Sequence, residues 1–335
     1  MNTSQFARLC ACYRLGELVG EPQEVAGGLL HQMWRLATTD GVFAVKQLNP
    51  AVMGRQGIRD AYRLTEQIAT AMAAHGIPAV ASLHCQGDPL LEIDEITVIV
   101  YRWIDGEILP VGPVEPELAR LMGKLLGRMH TLRLQLPALQ PPIWEPFLDD
   151  EWDMLTYHAA DRSLPWAYQI RAALPKLSEW SRASEEAGKR LNETLVVSHR
   201  DLDQKNVLWQ DTSSPMLIDW EAAGLINPTM ELVGVALNWS GQTVGPPRED
   251  IFHAVFEGYI DAGGTVQAEG RDALHGCMDT WLGWLLFNMH RSFGEATSTE
   301  EERLLGIRET AQTLTILRSL AANVETWANW VDQWR

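Results

Sequence analysis

The sequence predicts an α+β protein of two lobes, a small β-rich lobe with one main helix followed by a larger, mostly helical lobe. Three observations carry this. The β-rich runs fall almost entirely before residue 105, amphipathic helical periodicity dominates after it, and 335 residues exceed the ~150 typical of one domain. The division falls at 1–104 and 105–335.

Taken in order, Val42-Phe43-Ala44-Val45-Lys46 and the mixed run ending in Met33-Trp34-Arg35-Leu36 flank Asp40-Gly41 and read as a hairpin. Residues 58–75 then place Ile58, Tyr62, Thr65, Ile68, Ala69 and Met72 at helical spacing, with Gly76 and Pro78 as stop signals. Residues 96–101 form a further β-rich run. Beyond it, Leu118, Leu121, Met122, Leu125, Leu126 and Met129 share one face of a helix over 115–134. Pro-rich 137–146 is a loop, and helices are expected at about 148–160, 165–188, 248–262, 268–290 and 300–334. The 14 tryptophans, several of them in the helical lobe, are read first as core.

Composition narrows the function classes. The chain is 46% hydrophobic and 21% charged, an ordinary globular balance. With 27 basic against 44 acidic residues the net charge is -17, which opposes binding to nucleic acid or anionic membranes. Eight basic against twelve acidic residues give -4 over 1–107, while 19 against 32 give -13 over 108–335. That excess suits either solubility or a cationic ligand, and the densest acidic run, Asp149, Asp150, Glu151 and Asp153, either faces water or faces such a ligand. The start lacks a basic stretch and long apolar run, and no window reaches ~18 apolar residues, so the expected location is cytoplasmic. Cysteines at 10, 12, 85 and 277 show no paired spacing, and neither a disulfide nor a zinc site is expected.

The chemistry concentrates in 196–221. His199-Arg200-Asp201-Leu202 followed by Asn206 has the spacing H-R-D-L-x-x-x-N of a kinase catalytic loop. Asp201 and Asn206 on one short loop can direct a carboxylate at a substrate hydroxyl and an amide oxygen at a magnesium ion. Thirteen residues on, Met216-Leu217-Ile218 ends in Asp219, and a strand, turn and strand over 207–218 would return Asp219 beside Asn206.

These motifs resemble the aminoglycoside phosphotransferase family, the small-molecule branch of the protein-kinase-like fold that also includes choline kinase. Arg200 stands where that family usually has Gly, Trp220-Glu221 follows Asp219 in place of Phe-Gly, and no A-P-E segment follows, which separates the chain from protein kinases. Asn227-Pro228-Thr229-Met230-Glu231-Leu232 is similar to the family's acidic-Pro-x-x-acidic-Leu segment, with Asn227 in place of Asp.

The resemblance implies a bilobal protein-kinase-like fold and an ATP- or GTP-dependent small-molecule phosphotransferase that uses Mg2+. It implies Asp201 as the catalytic base and Asn206 and Asp219 as metal ligands. Lys46 would pair with nucleotide phosphates and Glu66 with Lys46. Gly27 and Gly28 match the phosphate loop, though a plain hairpin turn explains the pair equally well. Backbone groups of Arg102 and Ile104 would hydrogen-bond the purine. The favoured acceptor is a cationic aminoglycoside or other antibiotic. A metabolic kinase acting on choline, homoserine or a sugar, and a non-catalytic structural relative, are the alternatives.

Overall fold

A computed structural model describes residues 1–25, 31–295 and 299–335. The chain divides into two compact units, Met1–Leu109 with Lys205–Ala223, and Pro110–Gln204 with Gly224–Arg335. The sequence reading assigns all of 105–335 to the second lobe, whereas Lys205–Ala223 returns to the first.

The first unit opens with α1 (Thr3–Tyr13), which the sequence reading passes over although Asn2 and Gln5 form a reciprocal capping box at its start. Then come β1 (Gln23–Val25), β2 (Gln32–Thr38), β3 (Gly41–Gln47), α2 (Pro50–Met53), α3 (Ile58–Ala74), β4 (Ser82–Leu83), β5 (Leu90–Ile93), β6 (Ile96–Arg102) and β7 (Glu107–Ile108). The antiparallel sheet runs β1-β2-β3-β6-β4, with β5 also on β6. The hairpin read around Asp40-Gly41 is β2 and β3, paired from Gln32↔Gln47 to Thr38↔Gly41.

Side-chain alternation on β3 and β6 sorts the sheet's two faces. Phe43, Val45, Val98 and Val100 join Phe6, Leu9 and Cys10 of α1 in one core, while Ile99 joins Leu48, Val52, Met53 and Tyr62 in another. Each such fully buried aliphatic side chain contributes about 1.5–3 kcal/mol. Lys46, cross-strand from Ile99, therefore lies on the α3 face. Cys12 and Cys85 form a disulfide across 73 residues, with Cα atoms 5.7 Å apart, which corrects the expectation of none. The pairing follows from α1 packing beside β5, and no local spacing encodes it.

In the second unit, α4 (Pro116–Thr131), α5 (Asp149–Asp161) and α6 (Ala167–Leu191) precede β8 (Val196–Ser198). The short strands β9 (Val207–Trp209) and β10 (Pro215–Leu217) belong to the first unit, where β9 pairs with both β7 and β10. β11 (Gly224–Ile226) pairs with β8, and α7 (Pro228–Trp239), α8 (Glu249–Asp261), α9 (Gly270–Ser292) and α10 (Glu300–Asp332) complete the chain. Helices α4 and α8 touch backbone to backbone, since a Cβ on Gly123 would lie 1.9 Å from the Val255 carbonyl oxygen and one on Gly258 1.9 Å from that of Arg120. Trp152, Trp166 and Trp180 are buried. Among the described residues no helix is long and apolar enough to cross a membrane.

Candidate active site

The site residues of the first unit gather on the α3 face of its sheet. Lys46 projects from β3 and is 8% exposed, which would be costly for an unpaired ammonium. Its Nζ lies 2.8 Å from Asp219 Oδ1 and also meets the Glu221 carboxylate. Burial alone would push the ammonium pKa down, but the two carboxylates outweigh it and raise it. Asp219 and Glu221 are delivered by a 3-10 turn, Trp220–Ala222, which packs against α3 and is fastened by Trp220 Nε1 donating to the Leu217 carbonyl at 3.1 Å. Asp219 itself adopts φ +60°, in the left-handed region that Asp tolerates better than most residues.

The strand-turn-strand over 207–218 forms as β9 and β10, paired from Val207↔Leu217 to Trp209↔Pro215. Ile218 N–H continues the ladder by donating to the Asn206 carbonyl at 3.0 Å, so Asn206 and Asp219 lie at the same end of this hairpin. Both offer hard oxygen donors, an amide and a carboxylate, a set that suits Mg2+ when phosphates and water complete the shell. The side chain of Asp219 is 40% exposed.

Glu66 makes no ion pair with Lys46, although the Lys46 charge acts on its carboxyl. It sits on α3, 2% exposed, and accepts from Tyr101 Oη at 2.6 Å. Burial pushes its carboxyl up and, together with Glu66, pushes the Tyr101 phenol up as well. The helical spacing read from the sequence puts Glu66 on the sheet-facing side, but the Lys46 ammonium is taken by carboxylates 173 and 175 residues downstream. At the end of β6, Trp103 N–H donates to the Val42 carbonyl at 3.0 Å. Alternation turns the backbone groups of Arg102, opposite Phe43, away from β3, and Ile104 lies two residues beyond the strand. Gly27 and Gly28 lie outside the described residues.

In the second unit, Asp201 follows β8 on a half-buried loop, its N–H donating to His199 Nδ1 at 3.3 Å. This loop is fastened at several points. Arg200, at φ +68°, donates its N–H to Glu231 Oε1 at 2.6 Å. The Leu202 carbonyl accepts from Trp239 Nε1 at 3.0 Å, and Gln204 Nε2 donates to the Gly112 carbonyl at 2.9 Å. Glu231 also accepts from His130 Nε2 at 2.8 Å, and His130 Nδ1 meets Tyr259 Oη at 2.9 Å. Burial works against the Glu231 carboxylate, yet His130, Ser198 and the Arg200 N–H overcome it and hold the carboxyl below its ordinary range.

Asn227 caps α7, its Oδ1 accepting from the Thr229 and Met230 N–H groups. Its Nδ2 donates to the Leu191 and Thr194 carbonyls at 3.0 and 3.1 Å, two bonds that an aspartate could not make. Of the acidic run, Asp149 bonds Ser178 and Arg182, and Glu151 pairs with His290 at 3.0 Å. Glu221 and Trp239 are the contributors that motif reading missed, and Glu231, read there only as part of a family segment, was given no role. The signal for Glu221 was present, as an acidic residue two places after Asp219.

The fold recurs in solved structures. Spectinomycin phosphotransferase in complex with ADP and spectinomycin superposes with a TM-score of 0.68 at 14% identity, over 96% of this chain and 99% of that one. Ethanolamine kinase of Plasmodium vivax gives 0.60 at 17% identity, over 90% and 83%. Amicoumacin kinase in complex with AMP-PNP and Ca2+ gives 0.61 at 12% identity, over 93% of each chain. No curated protein matches in sequence. The model of the phosphotransferase enzyme family matches residues 21–266, and with the kinase-like fold described above this establishes that the chain belongs to that family.

Proposed function

We propose that the protein transfers the γ-phosphoryl group of ATP or GTP to a hydroxyl of a small, cationic molecule, with an aminoglycoside or other antibiotic as the favoured acceptor. The observation that carries this reading is the 2.8 Å pairing of Lys46 with Asp219, which joins a buried cation to a half-exposed carboxylate beside Asn206. In this reading Lys46 holds the nucleotide phosphates, Asn206 and Asp219 hold Mg2+, and backbone groups of Arg102 and Ile104 receive the purine. Bound Mg2+ would neutralise phosphate charge. Asp201 orients the acceptor hydroxyl and takes its proton as the new P–O bond forms and the bond to the β-phosphate oxygen breaks, releasing the nucleoside diphosphate. The -13 balance of residues 108–335 supports a cationic acceptor.

The ethanolamine kinase neighbour favours a second reading, a metabolic amino-alcohol kinase. Mass spectrometry of an antibiotic and amino-alcohol panel incubated with the protein, Mg2+ and either ATP or GTP tests both. A phosphorylated antibiotic supports the first, a phosphorylated amino alcohol the second. Nucleotide binding without transfer to any panel member, together with no loss of nucleoside triphosphate, would count against catalysis.

A further inference from the structure

One cavity of the first unit takes no part in the site described above. It measures about 650 Å3, within the range of small-molecule sites, and lies between α2, the start of α3 and the β5–β6 turn. Lys46, Asn206 and Asp219 are absent from its walls. Its floor includes the buried apolar side chains Leu48 and Met53. Five charged side chains also line it, and three of them are already engaged. Arg59 bonds Glu92 at 2.7 Å, and Arg63 holds both Asp60 at 3.0 Å and Asp88 at 2.9 Å. Arg55 and Glu95 remain. Both are exposed, and among the described residues neither has an ion-pair partner.

Two further features point to a ligand. The N-cap of α3 is Gly57, which offers no side chain, so the first-turn N–H groups of Arg59 and Asp60 have no capping acceptor beside Arg55. Thr97 is 5% exposed, and its hydroxyl has no partner among the described residues. On β6 it alternates with Val98, which belongs to the α1 core, so Thr97 shares the α3 face with Ile99 and turns its hydroxyl to the cavity. A buried hydroxyl is rarely left without a bond. The cavity thus offers a guanidinium and N–H donors at the start of α3, an unpaired carboxylate on the β5–β6 turn, and a free hydroxyl on β6.

We propose that this cavity binds a small molecule carrying both a phosphate monoester and an ammonium group, with the phosphate at Arg55 and the start of α3, the ammonium at Glu95, and Thr97 bonding the phosphate. A helix N-terminus favours phosphate. A ligand of one charge would leave either Arg55 or Glu95 unanswered. Phosphoryl transfer to an amino alcohol would release a molecule of this class, but the cavity's charges select it whichever acceptor the protein uses.

The probe is O-phosphoethanolamine, titrated by calorimetry into the full chain without nucleotide. Saturable binding is expected near ~1 mM. Inorganic phosphate and ethanolamine should each bind at least ~5-fold more weakly, since each answers one charge. Arg55→Gln should weaken the probe about 5- to 10-fold and Thr97→Val about 3-fold. Glu95→Gln should weaken it about 2- to 5-fold while leaving inorganic phosphate no weaker. The probe should not displace the fluorescent nucleotide analogue mant-ATP, bound with Mg2+.

No saturable heat up to ~20 mM would overturn the proposal. Equal affinity for inorganic phosphate would also overturn it, because no ammonium site would then be needed. Displacement of mant-ATP would put the probe among the nucleotide groups, and an affinity indifferent to both Arg55→Gln and Glu95→Gln would put it in an acceptor site elsewhere; either refutes the cavity as its site. Should Thr97→Val not fold, Arg55→Gln and Glu95→Gln carry the test, since both side chains are exposed and have no ion pair to lose.

Discussion

Arg200 holds its backbone in the left-handed region, at φ +68°, with its N–H 2.6 Å from the Glu231 carboxylate. For an L-residue with a Cβ that conformation costs about 1–2 kcal/mol. A hydrogen bond to a buried charged acceptor contributes about 1.5–3 kcal/mol and prevails. The loop around Asp201 therefore keeps a glycine-like backbone without a glycine.

Replacing Arg200 by Gly removes the steric cost while keeping the N–H donor. Urea denaturation of Arg200→Gly should show stability unchanged or raised by about 1 kcal/mol, the glycine's extra unfolded-state freedom offsetting part of the gain. A loss beyond about 1 kcal/mol would mean that the guanidinium matters more than the backbone.

Glu231→Ala leaves His130 and the Arg200 N–H without their buried acceptor and should cost about 3–5 kcal/mol. The pH dependence has a definite sign. The folded pKa of Glu231 is depressed, so its contribution is present above the unfolded value of ~4.3 and is lost as pH falls through the lower folded value. Glu231→Gln should flatten the stability profile in that acidic window. An unchanged slope in denaturation midpoints below pH ~4.5 would refute the assignment.

Asp279 on α9 shows the opposite sign. Burial pushes its carboxyl up to about 6. Because the folded state binds this proton more tightly, stability is greatest below the unfolded pKa of ~3.9 and declines as pH rises through about 6. Asp279→Asn should be more stable than wild type at pH 7, by about 1–2 kcal/mol once partial solvent access is allowed for. Equal thermal midpoints at pH 7 would contradict this.

Asp201→Asn should keep the fold and mant-ATP affinity while lowering phosphoryl transfer at least ~10²-fold, the usual scale for a positioned base. Near-normal turnover with an acceptor identified by the panel would remove Asp201 from that role.

Much of this arrangement was legible locally. The β2–β3 hairpin, helix α3 and the long helices of the second unit follow from periodicity and turn residues. Asp219 could be found because an apolar strand ends on it at a fixed distance from Asn206. What stayed hidden depends on tertiary partners. Helical spacing shows which face Glu66 occupies, but not that its Oε1 would accept from Tyr101 while Asp219 and Glu221 pair with Lys46. Asn227 reads as a departure from an acidic pattern until its two donated bonds to the Leu191 and Thr194 carbonyls are seen. The Cys12–Cys85 disulfide depends on two segments that only the folded sheet brings together.

The return of Lys205–Ala223 to the first unit sets an order for biosynthesis. β9 pairs with β7, and Leu217 exchanges backbone hydrogen bonds with Pro78 and Val80, so this unit lacks part of its backbone pairing until residue 223 has left the ribosome. Residues 110–204 are translated in the interval and must fold, or wait, while the nascent first unit still presents strand edges open to mispairing. The chain is thus vulnerable during synthesis across that interval, and a fragment ending at residue 109 would lack the strands that finish its own unit.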